Sequence, residues 1–85
     1  MNLSVSVREF SDLPGQIEDA IHFLSENASE LTRLRNFAAV ENIELDFPVE
    51  DRDTAVQRDF FPAALLSLMG DLQIGMVISR YPRPS

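Results

Sequence analysis

The chain has 85 residues, no cysteine, no tryptophan, 45% hydrophobic content and a net charge of −7. That length suits one domain over 1–85 with a modest core, and the missing cysteines exclude disulfides, thiolate zinc sites and a cysteine nucleophile. No apolar run approaches the ~20 residues of a membrane span, Met1 opens straight into an alternating segment rather than a signal peptide, and the hydrophobic content is too high for disorder.

Along residues 2–8, Leu3, Val5 and Val7 alternate with Asn2, Ser4 and Ser6, which predicts a half-buried strand. Asp12-Leu13-Pro14-Gly15 breaks it. Pro14 has its φ preset for a first helical turn, and Glu18 and Asp19 are expected near the positive helix end. The period then becomes 3.6: Ile17, Ala20, Ile21, Leu24 and Ala28 form one stripe, predicting a helix to about residue 27. Asn27-Ala28-Ser29-Glu30 reads as a second start, an Asn cap with Glu three residues on. A short continuation carrying Leu31 and Leu34 follows, offset by a kink.

Alternation returns at 42–47, with Ile43, Leu45 and Phe47 inward and Glu44 and Asp46 outward. Charges on the outer side suit an edge strand, which Pro48 should close. Residues 49–59 read as a polar loop. Pro62 opens a helix with Leu65, Leu66, Leu68 and Met69 on its apolar face and Gly70 as its left-handed terminator. Ile74–Ser79 is the most apolar strand and is expected at the sheet centre. Tyr81-Pro82-Arg83-Pro84-Ser85 is a tail, since prolines cannot continue a ladder. The expected fold is α/β of the α+β type. It is a two-layer sandwich of order β-α(α)-β-α-β, a three-stranded sheet with helices on one face. Parallel and antiparallel pairing both remain open.

The cations are seven arginines and no lysine, and the acids concentrate in 9–30 and 41–59. Such a surface repels a nucleic-acid duplex and an anionic membrane, whereas a basic protein partner suits it. Catalytic constellations are sparse. His22 has Glu18 and Glu26 four residues away on either side, but one helix face supplies three ligands at most, and a solvated polar face is the simpler reading. Glu50-Asp51-Arg52-Asp53 contains an acid-x-acid spacing without a glycine-rich phosphate cradle beside it. There is no nucleophile elbow, and the three glycines serve as punctuation. A non-catalytic protein without cofactor or metal is therefore expected.

Phe60-Phe61-Pro62 is the densest aromatic cluster. Such a pair anchors a helix start into the core, yet one of two adjacent rings must point elsewhere, where it offers an interface contact. The outer sheet face should show Ser4, Ser6, Gln73, Gly75, Val77 and Ser79. Small and uncharged, it invites a second copy or a partner, so a homodimer through the sheet face or an adjoining edge strand is expected.

The stretch Leu45-Asp-Phe-Pro-Val-Glu-Asp-Arg-Asp, with Gln57, Phe61-Pro62, Leu65-Leu66, Gly70 and Ile78-Ser-Arg-Tyr-Pro, resembles small uncharacterised bacterial proteins. These are acidic α/β chains, some similar to immunity proteins that neutralise a toxin. The resemblance covers the C-terminal half and implies a bacterial, cytoplasmic origin, and it brings no residue with an assigned role. The sequence thus points to a small acidic protein-binding module, an immunity-like inhibitor or an adaptor. Its candidate contacts are Glu50, Asp51, Arg52, Asp53, Arg58, Phe60 and Phe61. A homo-oligomeric structural domain is the alternative, and a small metal-dependent enzyme comes third.

Overall fold

Asp12 starts the longest helix. Its carboxylate accepts the Gly15 N–H at 3.1 Å, and its backbone carbonyl accepts from Gln16 at 3.0 Å. A side chain at position 15 would meet that carboxylate where it stands, so the Asp12 side chain would have to shift to accommodate it. In this computed structural model, which describes residues 2–3, 8, 11–37, 42–52 and 55–82, the helix is α1 (Leu13–Glu26). Its first turn contains no acid. Glu18 and Asp19 lie beyond the reach of the N-terminal dipole, and Asp12 takes the role expected of them.

Asn27 separates α1 from α2 (Ala28–Arg35). The predicted capping box does not form. Both the backbone N–H and the Nδ2 of Asn27 donate to Phe23 O, at 3.0 and 2.9 Å, so this side chain closes α1 instead of opening α2.

Two full strands, β2 (Glu44–Glu50) and β3 (Gly75–Tyr81), form a parallel pair in the register Leu45↔Met76, Phe47↔Ile78, Val49↔Arg80. On the other side of β2, strand β1 is confined to Asn2–Leu3, parallel to Glu44 and Leu45. The expected strand over 2–8 is not shown at that length, and residues 4–7 lie outside the described residues. β2 is thus the inner strand and β3 an edge, which reverses the placement expected from composition. The helices explain the reversal. They cover one face of the sheet, so the inner strand needs apolar residues on that face alone, and Leu45, Phe47 and Val49 supply them.

Pro48 does not close β2 either; the strand continues to Glu50 with Val49 buried. Ile43 accepts from Gly75 N and Asp51 donates to Tyr81 O, so the odd-numbered residues here turn their backbone groups toward β3. Pro48 turns the other way, where its missing N–H costs no β2–β3 bond. Its carbonyl accepts from Nε2 of Gln16 at 2.9 Å, and Gln16 is a buried polar residue of α1.

The core joins Leu13, Ile17, Ala20 and Leu24 of α1, Leu31 of α2, the β2 stripe, and Leu65 and Met69 of α3 (Ala63–Asp71), with Leu72 and Ile74 after it. Pro62 is the cap of α3, with extended ψ of 155°, and not its first helical residue. Leu66 is 49% exposed and does not share the buried face. Gly70 is not the terminator. It lies inside the helix, and Gln73 adopts the left-handed conformation at φ 55°. Ile74 N donates to Met69 O at 2.8 Å and Gln73 N to Gly70 O at 3.1 Å, the paired bonds of a Schellman ending, with apolar Ile74 and Met69 both buried.

Candidate functional site

Where β2 ends, the chain is held by side chains instead of a ladder. Gln57 Nε2 donates to Glu50 O at 3.3 Å and to Asp59 Oδ2 at 3.1 Å, while its Oε1 accepts the Arg52 N–H at 2.9 Å. Arg52 Nη2 reaches Asp59 Oδ1 at 3.0 Å and Arg58 O at 3.2 Å. The Asp59 side chain is only 10% exposed, so a nearly buried carboxylate anchors the loop from both sides. Charge-assisted bonds of this kind fix geometry as well as adding stability. The segment expected as a featureless polar loop therefore begins later, at Asp51, and is internally braced.

This brace forms one wall of a cleft of about 530 Å³. Arg52, Arg58, Asp59, Phe60 and Pro62 line it on the loop side, and Ser11, Leu13, Pro14 and Ile17, at the start of α1, line the other. The loop wall follows the carboxyl end of β2, the end at which open parallel α/β sheets receive ligands. The lining is mainly apolar and includes two arginines. Arg52 is committed to Asp59, whereas Arg58 is exposed and its side chain makes no ion pair among the described residues.

The adjacent phenylalanines divide. Phe61 packs its ring edge-on against Phe47, centroids 5.4 Å apart at 68°, and is half-buried. Phe60 is 78% exposed beside the cleft. Of the sequence-derived contacts, Arg52, Arg58 and Phe60 thus meet at one site, and Phe61 supports it from the core. Glu50 and Asp51 stand next to the brace but do not line the cleft; Asp51 N donates to Tyr81 O, and its carboxylate lies 3.8 Å from Arg80 in a half-exposed pair worth little. Asp53 lies outside the described residues. Sequence reasoning missed Asp59, whose signal was an acid directly before an aromatic pair at a helix start. It also missed the α1 wall, remote in the chain and without any signal.

His22 is exposed, with Nε2 3.2 Å from Glu26 Oε1. Glu18 does not complete a trio, and among the described residues no group of three His, Asp or Glu side chains is placed to hold a metal ion. Arg8 ties the segment before α1 to the helix, donating to Asp19 Oδ2 at 3.2 Å with Asp12 Oδ2 at 3.6 Å. Its pKa is raised, first by the hydrogen bond to Asp19 and then by the charges of Asp19 and Asp12.

The outer sheet face is not the uncharged surface expected. Gly75, Val77 and Ser79 lie on it, but so do Glu44, Asp46 and Glu50 of the inner strand, and Ser79 Oγ donates to Asp46 Oδ1 at 2.8 Å. Ser4 and Ser6 lie outside the described residues, and Gln73 belongs to the turn before β3. No helix among the described residues is long and apolar enough to cross a membrane. Compared with family models, curated proteins and solved structures, the chain matches none.

Proposed function

We propose that this chain is a small, non-catalytic protein-binding module that receives an apolar side chain of a basic partner in the cleft between the α1 start and the 51–62 loop. The observation that carries the reading is Phe60, a large aromatic left 78% exposed while it lines a braced, mainly apolar cleft. Exposed aromatics beside pockets are the usual anchors of protein interfaces. The net charge of −7 would steer a basic partner toward the molecule, with Glu50 and Asp51 next to the brace and Arg58 available to a carboxylate or carbonyl on it. The carboxylate in the cleft lining, Asp59, is taken up by Arg52 and Gln57, which favours binding over catalysis. The resemblance to acidic bacterial chains gives the reading its setting, a cytoplasmic immunity-like inhibitor or an adaptor.

The test uses the purified protein and its Phe60→Ser variant as parallel baits in lysate of the source organism, with mass spectrometry of what elutes. One stoichiometric basic protein retained by the parent and lost from Phe60→Ser is the expected result. With that partner in hand, reversing Asp51 and Asp53 to arginine should slow association and flatten its salt dependence in stopped-flow traces. Recovery of no partner, or of one indifferent to Phe60→Ser, overturns the assignment of this cleft.

A further inference from the structure

The β2–β3 bonds define which backbone groups of β3 are used. Gly75 N donates to Ile43 O and Tyr81 O accepts from Asp51 N, so Gly75, Val77, Ser79 and Tyr81 face β2. Met76, Ile78 and Arg80 therefore turn their N–H and C=O groups to the opposite edge. Among the described residues nothing pairs with that edge, and β3 is its last strand. The usual protections of an open edge are sparse. The strand has seven residues, contains no proline, and carries one charge, at Arg80. Ile78, at its midpoint, is 45% exposed.

We infer that this edge pairs with a second copy of the same chain, β3 antiparallel to β3 about a two-fold axis at Ile78. In that register Ile78 exchanges both backbone bonds with the partner's Ile78, and Met76 does so with the partner's Arg80. Each outward N–H and C=O gains a mate. The side chains agree with the register. Ile78 meets the partner's Ile78 and Met76 lies under the partner's Arg80 stem, while the two Arg80 groups stay at opposite ends of the ladder. On the other face, Gly75 stands opposite the partner's Tyr81, a pairing in which an aromatic covers an edge glycine. Charge favours a second copy here over contact elsewhere. Two molecules of net charge −7 repel, but residues 72–82 contain no acid, so β3 is a surface through which they can approach. The inference is independent of the cleft, which lies at another part of the fold.

Sedimentation velocity over a concentration series tests it first, with a reversible species of twice the 9.6 kDa protomer expected. Because the chain has no cysteine, Ile78→Cys introduces the sole thiol. Residues in a hydrogen-bonded antiparallel pair have Cα atoms about 5.5 Å apart, within disulfide reach, so mild oxidation should cross-link Ile78→Cys dimers and leave a Ser25→Cys control on exposed α1 monomeric. Ile78→Lys should weaken the dimer by roughly 100-fold or more with unchanged far-UV dichroism. Ile78→Pro should do the same, since its N–H points away from β2. A strict protomer up to about 1 mM, cross-linking equal at 25 and 78, or a dimer indifferent to Ile78→Lys overturns the inference.

Discussion

β2 and β3 are each seven residues long and lie side by side in one register, yet their surroundings differ sharply. Every second residue of β2 is buried, with Leu45, Phe47 and Val49 at 2% exposure or less. In β3 no residue is buried, although Met76-Val77-Ile78 is the more continuous apolar run. Position in the sheet, and not hydropathy, decides burial here. An inner strand roofed by helices on one face needs one apolar side. The edge strand retains apolar character that the described fold covers only in part, with Met76 packed against the core and Ile78 45% exposed. That surplus is what the self-pairing at Ile78 would employ.

Substitutions can break this contrast. Phe47→Ala removes a ring buried in the core against Phe61 and should cost about 3–5 kcal/mol. The total stability of such a domain is roughly 5–15 kcal/mol, so much of the population should unfold well below the parent's urea midpoint. Its register partner is the control. Ile78→Ala, measured at concentrations low enough to hold the protomer, should cost less than about 1 kcal/mol. Equal losses at the two positions would show that the edge is covered after all.

The next effect concerns the side of β2 turned away from β3. Gln16→Leu keeps the volume but takes the donor from Pro48 O, and a part-buried carbonyl left without this partner should cost about 1 kcal/mol. If Gln16→Leu unfolds at the parental urea concentration, that carbonyl has found another donor and the glutamine is not the brace described. The smallest effect sharpens the ending of α3. Gly70 is helical, and an added methyl meets nothing within 4 Å. Gly70→Ala should therefore raise the thermal midpoint, stabilising by about 0.5–1 kcal/mol. A terminator in the left-handed region would instead be destabilised, so the sign alone separates the two descriptions.

These cases also mark what could be read along the chain. The 3.6-residue stripe from Ile17 to Leu24 and the alternation at Ile43, Leu45 and Phe47 announce α1 and β2, because each pattern is local. Strand order is not local: Glu44 and Asp46 signify an edge only if nothing lies beside them, and Asn2–Leu3 does. Pro48 misleads for the same reason, since its harmlessness depends on which neighbour its nitrogen faces. Gly70 misleads because the residue type suited to a left-handed cap lies three positions before the residue that adopts it. At the cleft, Arg52, Arg58 and Phe60 were legible as charge and aromaticity in one segment. The brace on Asp59 and the wall from Ser11 to Ile17 depend on tertiary contacts and were not.

The parallel arrangement has a consequence for a chain synthesised from its N-terminus. α1 and α2 leave the ribosome before β2, so the apolar stripe of Leu45, Phe47 and Val49 emerges with most of its roof already made. Met76 emerges after the core it packs against. The open rim of β3 thus forms only after α1, α2, β2 and α3, the elements that make the interior of the described fold, have been synthesised. A sticky surface placed after the elements of its own core favours assembly between folded copies over the tangling of unfolded ones.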